Sequence, residues 1–300
     1  VTVQFPVFLG SRGKAIADTA AISAPLQAFT LGTEVGVPTG TSLTPTTGIP
    51  GFDATESLTL THPISGATTT VTASVFRRRS WTTKIQPTPT AGSTWLFDQC
   101  EFNVASDFQC VDLIDTNGVN NQMAPIAVFR QCTFNGDNIT NRGGNIGFAW
   151  MDRCDVRNCV DAVGGLYYSV IMNSNFIGGG TSVDDHADGL QCAGIGKTTL
   201  YHNWISSGTG PGQSSAMLFK NDFSAIDDVK VYYCGLDRGG WCMQFRGDGP
   251  ASGDVTNVDV RYCRWQNNHG FGPVDFAEAT VTGWVDNALT NGTVISNPAP

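Results

Sequence analysis

Charged residues are scarce in this chain. They make up 14% of its 300 residues, against roughly 25% in an average protein. Lysine occurs five times and glutamate four. Those residues usually fill exposed helix faces, so a helical protein is not expected. No basic run is longer than Arg77-Arg78-Arg79, and the formal net charge is -9. Such a chain is repelled by phosphate backbones, which excludes a nucleic-acid partner. The triplet reads as a strand end or a local partner contact. No stretch reaches the roughly 18 apolar residues of a membrane-spanning helix, so no membrane insertion is expected. The opening "VTVQFPVFLG" has neither the basic start nor the long apolar core of a signal peptide. It begins with Val1, as expected of a processed or excised piece or of an unusual start codon read literally. Among the nine cysteines there is no CxxC pair, which argues against structural zinc. Their odd number and wide spread predict reduced, buried thiols.

What the chain does have is glycine, 35 of them, with much threonine, valine and phenylalanine. That mix favours strands and turns. It also repeats itself. The segments "FDQCEF" at 97, "FRQCTF" at 129, "MDRCDV" at 151, "IMNSNF" at 171, "LYHNWI" at 200, "VYYCGL" at 231 and "VRYCRW" at 260 share one pattern. Each has an apolar residue, two variable ones, a small or polar pivot, one more residue, then an apolar one. The pivots are Cys100, Cys132, Cys154, Ser174, Asn203, Cys234 and Cys263, spaced 32, 22, 20, 29, 31 and 29 residues apart. An eighth copy is read at "VTGWVD", 281.

Parity within a copy shows what the pattern builds. In "NVDVRYCRW", Val258 and Val260 share one strand face, and so do Cys263 and Trp265. Between the two pairs the parity slips by one, which a single regular strand does not allow. Each copy is therefore two short strands joined at a corner, both pointing apolar side chains inward. Stacked in parallel, the pivots form an interior row of free thiols interrupted by Ser174 and Asn203. A further strand row follows: "DAVGGL" at 161, "DGLQCAG" at 188, "SSAMLFK" at 214, "GWCMQFRG" at 240 and "FGPVDF" at 271. Strand, corner, strand, loop, strand predicts an all-β fold, a right-handed parallel β-helix of about seven to eight coils over residues 94–300. A β-propeller, the rival, expects longer and more regular periods. Residues 1–93 are expected to form an N-terminal capping or attachment segment. Within it, "GKAIADTAAISAPLQAF" is read as one short helix, "VGVPTGTSLTPTTGIPG" as extended loop, and "SLTLTHPISGATTTVTASVF" as hairpin strands.

The ordered set "VPTGTSLTP" at 37, "HADGLQ" at 186, "LYHNWI" at 200, "VKVYYCGLDRGGW" at 229 and "HGFGPV" at 269 resembles the pectin-lyase-like β-helix proteins of actinobacteria and their phage tails, the minor tail protein type. The resemblance spans roughly residues 37–276. It implies a virion tail protein, assembled in the host cytoplasm, that contacts host cell-surface or cell-wall polysaccharide and other tail proteins, with a homotrimer as the expected assembly. A secreted bacterial protein is the alternative location. The pivot, often asparagine in such proteins, is mostly cysteine here.

The stretch "SVDDHADGLQ" (182–191) carries the candidate chemistry. Asp184, Asp185, His186 and Asp188 are the catalytic candidates. Paired carboxylates suit glycoside hydrolysis, and a base beside a neutralising cation suits a lyase. The three aspartates are also candidate calcium ligands, although no cofactor is required. Aspartates before glycine equally cap turns. Gln191, Lys220, Trp241, Gln244 and Arg246 are the candidate substrate-binding residues, and Gln191 should face solvent if Leu190 is buried. His202, beside a pivot, is expected at a surface corner, and His62, before Pro63, in a turn. Three functions stay open: a non-catalytic glycan-contacting tail protein, a polysaccharide depolymerase, and a purely structural virion protein.

Overall fold

The structure, a computed structural model, describes residues 2–4, 23–86, 93–104, 109–113, 127–136, 142–145, 147, 149–166, 168–182, 185–210, 212–249 and 254–297. The helix expected near residues 13–29 falls largely outside them. The described residues form strands, turns and bends, with no helix among them.

Three parallel sheets carry the fold. The long sheet stacks Thr94–Asp98, Ala127–Arg130, Ala149–Asp152, Val170–Met172, Thr199–Tyr201, Ile226–Tyr232, Val255–Arg261 and Ala279–Val285 in chain order. The second stacks Arg79–Trp81, Glu101–Asn103, Thr133–Asn135, Asp155–Cys159, Asn175–Gly178, Trp204–Ser206, Gly235–Asp237, Arg264–Trp265 and Ala288–Leu289. The third holds Ala187–Cys192, Gln213–Lys220, Trp241–Arg246 and Gly272–Ala277. Except at the ends of each sheet, every strand pairs in parallel with the copy before and the copy after it. This all-β arrangement is consistent with a β-helical solenoid and unlike the antiparallel blades of a propeller.

The parity slip has a simple cause. Gln99, Gln131, Arg153, Asn173, His202, Tyr233 and Tyr262 each have φ between 51° and 57°. Each stands immediately before a pivot, so one left-handed residue turns every corner. A non-glycine residue there costs about 1–2 kcal/mol, and main-chain bonds between neighbouring copies hold it: Gln99 N–H donates to Arg130 C=O (2.9 Å), and His202 N–H to Tyr232 C=O (2.9 Å). The same corner occurs at Arg78, one copy earlier than the repeats read from sequence, and at Asp286. The eighth copy is therefore shifted by three: its pivot position is Asn287, and Trp284 pairs with Val260 in the long sheet. At the earlier corner, Arg79 replaces the small pivot and pairs with Asp53 (Nε to Oδ2, 3.1 Å).

The pivots are fully buried, and all nine cysteines are free and buried. They are more than small hydrophobes. Asn203 Nδ2 donates to Ile171 C=O (3.0 Å) and Asn287 Nδ2 to Val260 C=O (2.9 Å). The thiols of Cys132, Cys154 and Cys263 lie against the equivalent carbonyls, those of Phe97 (3.2 Å), Phe129 (3.5 Å) and Val231 (3.4 Å). In return, Asn203 Oδ1 accepts from Ser174 N–H (3.0 Å) and Asn287 Oδ1 from Cys263 N–H (3.0 Å). Thiol and amide thus occupy one hydrogen-bonding row. Burial pushes the Cys132 and Cys263 thiols well up, which keeps them protonated donors.

Around this row the core is aromatic. Phe76, Phe97 and Phe129 stack on the inside of the long sheet at 5.2 and 5.0 Å. Trp81, Phe102 and Phe134 stack facing them at 5.1 and 4.7 Å. These intervals match the strand spacing of about 4.8 Å, so each ring lies on its counterpart in the next copy.

The N-terminal segment lies along the stack. Ala54–Thr61 and Thr68–Arg77 form the expected antiparallel hairpin, and Thr68–Arg77 then pairs in parallel with Thr94–Asp98. Leu58, Leu60 and Val71 on the hairpin share a second apolar cluster with Leu96, Val128, Trp150, Met172, Tyr201 and Tyr233. Residues 25–37 run over the second sheet. Leu26 C=O accepts from Gln266 Nε2 (2.6 Å), Phe29 exchanges two bonds with the Asn175 amide (both 2.9 Å), and Gly36 N–H reaches Arg153 C=O (2.9 Å). At the far end, residues 291–297 fold back. Ile295 joins the core, its N–H bonded to Asn287 C=O (2.9 Å) and its C=O to Trp284 Nε1 (2.7 Å).

Candidate functional site: the outer face of the third sheet

The third sheet gathers the sequence's binding candidates. Its register aligns Gln191 with Leu218, Gln244 and Asp275, and Lys220 with Arg246. Cys192, Phe219 and Phe245 point into the core, fully buried. Leu190 is buried too, so alternation turns Gln191 outward, and it is half-buried. Gln244 is more covered; its amide donates to Ser215 Oγ in a short hydrogen bond. Beyond this row come Lys220 and Arg246 at the strand ends.

At the other end of the sheet sits an aromatic pair. The rings of Trp241 and Phe271 are 6.2 Å apart at 46°, and Phe271 is 79% exposed. Two glycines make room for them. A Cβ on Gly272 would come within 2.2 Å of the Trp241 ring, and one on Gly240 within 3.0 Å of the Phe271 ring. The signal for Phe271 was present in "HGFGPV", an aromatic between two glycines.

The acidic stretch is put to main-chain use. Asp184 lies outside the described residues. Asp185 Oδ2 accepts from the N–H groups of Thr181 (2.5 Å) and Ser182 (2.6 Å), a side chain closing a turn. His186 is exposed with φ 49°, so it turns the chain into the strand. Asp188 is fully buried. Its Oδ1 accepts from Ser215 N–H (2.7 Å), while its own N–H donates to Asp161 Oδ1 (3.1 Å). Asp161, which sequence reasoning missed, opens "DAVGGL" and continues the row one copy back. The two carboxylates thus link three successive copies. Among the described residues, no group of three or more His, Cys, Asp or Glu side chains converges to hold a metal ion.

The cations of the face are paired. Lys220 Nζ is 3.1 Å from Asp222 Oδ1. Arg246 Nε donates to Asp248 Oδ1 (3.0 Å), and its Nη1 is 3.9 Å from Asp275 Oδ2. Hydrogen bonding to Asp248 pushes the Arg246 guanidinium up, and the same bond holds the Asp248 carboxyl down. Asn221 fixes the loop that carries Asp248: its Nδ2 donates to Gly247 C=O (2.9 Å) and its Oδ1 accepts from Gly249 N–H (2.6 Å).

Two histidines lie elsewhere. His62 caps its turn as expected, with Nδ1 accepting from Ile64 and Ser65 N–H (both 3.3 Å) and Nε2 set against Thr199 Oγ1 (3.2 Å). His202 is not at the surface. It is 7% exposed beneath Phe29 of the N-terminal segment, with ring centroids 5.3 Å apart. Its Nδ1 meets Asn173 Oδ1 (3.1 Å), and Asn173 Nδ2 donates to Asp152 Oδ1 (2.9 Å). That chain assigns the proton to Nδ1. Burial lowers the His202 pKa from 6.5 to about 4. The unfolded chain therefore takes up this proton first as pH falls. Stability is expected to be fully present above about pH 6.5 and to drop by about 2–3 kcal/mol on approaching about pH 4. Urea unfolding across that range checks it: His202→Gln should lack this part of the pH dependence.

Comparison with protein-family models, curated proteins and solved structures gives no match.

Proposed function

We propose that the chain is a right-handed parallel β-helix of the pectin-lyase-like kind, acting as a phage minor tail component whose third sheet holds host cell-surface polysaccharide without cleaving it. One observation carries this reading. A single parallel sheet brings together Gln191, Lys220, Trp241, Gln244 and Arg246, and adds Phe271 beside Trp241. Amides suit hydroxyl groups, and flat rings suit the C–H faces of sugars. The hairpin packs on the long sheet and residues 25–37 on the second, so neither segment needs the third sheet as its support. Attachment to other tail proteins and homotrimer assembly belong to the same proposal, on the resemblance alone.

Holding rather than cleaving is favoured because Asp185 and Asp188 serve main-chain donors. Asp161 and Asp188 are carboxylates on neighbouring copies, but they are 5% and 0% exposed, so a glycosidic bond does not reach them in this conformation. The test incubates the protein with host cell-wall polysaccharide, with and without calcium. Retention of polymer is expected, with no new reducing ends or unsaturated uronate. Trp241→Ala combined with Phe271→Ala should weaken retention by about tenfold. Product released by the wild type and lost in Asp188→Asn, which keeps an oxygen facing Ser215 N–H, would replace this reading with a depolymerase.

A further inference from the structure

We propose that the third sheet is built for an uncharged polysaccharide, because the cations on its face are already held by carboxylates of the same face. The inference rests on the carbohydrate reading above and adds the class of polymer.

Lys220 and Arg246 project from neighbouring strands at one end of the sheet. Facing them are Asp222, Asp248 and Asp275. Two cations against three carboxylates leave this end negative by one charge. Arg238, on the loop entering Trp241, is held likewise by Asp237 (3.4 Å). Such pairs add little stability on a surface, but they decide the local field. An approaching uronate or phosphate polymer meets no net positive charge and is repelled by the third carboxylate.

The pairing is built into the fold rather than left to side-chain chance. Asn221 is buried, and both ends of its amide grip the loop 247–249. A Cβ on Gly249 would come within 2.4 Å of Asn221 Oδ1, so the loop closes on the amide only with glycine there. This fixes Asp248 beside Arg246. Asp275 is fixed by register, directly beside Gln244. The rest of the outward face is neutral: half-buried Gln191 and the rings of Trp241 and Phe271. Hydroxyl-rich, uncharged chains match that set.

The test uses the full chain and host cell-wall polysaccharide, separated by anion exchange into neutral and acidic fractions. The neutral fraction should bind at least about tenfold more tightly, and its affinity should change by less than about twofold when salt is raised about tenfold. The double variant Asp248→Asn, Asp275→Asn exposes Arg246 and should gain about tenfold for the acidic fraction at low salt, a gain lost at high salt. Tighter wild-type binding to the acidic fraction overturns the inference and leaves the carbohydrate reading intact. Binding to neither fraction overturns both.

Discussion

Asn203→Leu is expected to lower the stability of the fold by about 2–5 kcal/mol, while Asn203→Cys should cost far less. Leucine matches asparagine closely in size but removes both ends of its amide. Ser174 N–H and Ile171 C=O, each 3.0 Å from that amide, would lose their partner in a fully buried place. Each buried group left unsatisfied costs about 1–3 kcal/mol. Cysteine already stands at the equivalent corners. Its thiol lies against the carbonyl three residues before the preceding pivot, as in Cys132 to Phe97 and Cys263 to Val231, so a cysteine at 203 keeps a partner for Ile171 C=O. Denaturant unfolding of the two variants beside wild type measures the difference. Equal losses for leucine and cysteine would show that the row matters for its volume and not for its hydrogen bonds.

Phe102→Ala is expected to cost about 3–5 kcal/mol. The ring is fully buried between Trp81 and Phe134, at 5.1 and 4.7 Å, and meets Phe97 and Phe129 edge-on. Its neighbours are held at strand spacing by the main chain, so they cannot close the gap without breaking the ladder. Phe102→Leu should lose less, because it leaves a smaller void. A loss under about 1 kcal/mol for the alanine variant would mean that this end of the stack relaxes freely. The effect should show in thermal unfolding as a lower midpoint, and the polysaccharide binding proposed for the third sheet should be unchanged below it.

Much of this architecture is legible in the sequence. Recurrence of the pivot pattern placed the corners, and parity separated the two strands in each copy. Charge scarcity told against helices. The thiols were readable as buried and unpaired, but not as hydrogen-bonding stand-ins for asparagine. That role depends on which carbonyl of the preceding copy a side chain meets. The pattern also misplaced the eighth copy, because Trp284 imitates a pivot by spacing while Asp286 is the residue that takes the left-handed conformation. It passed over Arg78 because arginine at 79 hides the small-pivot signature. In the acidic stretch, the sequence carried a site reading and a turn reading of equal chemical standing. In the structure Asp185 accepts from Thr181 and Ser182 N–H, and Asp188 from Ser215 N–H, a contact that local sequence does not encode.

The sequence by itself determined what repeats locally: strand after strand of alternating apolar residues, a corner at each pivot, and a row of small buried side chains. These follow from period-two side-chain direction and from turn chemistry, which act over a few neighbouring residues. Tertiary structure alone decided what covers what. Phe29 meets Asn175 across 146 positions, and Leu26 meets Gln266 across 240. No local pattern encodes such contacts, yet the first of them sets the Phe29 ring over His202. The same holds for Arg246, whose two carboxylates come from the loop after its own strand and from the next copy of the sheet. Sequence supplied the cation; the stacking of one copy on the next decided that a ligand would find it already paired.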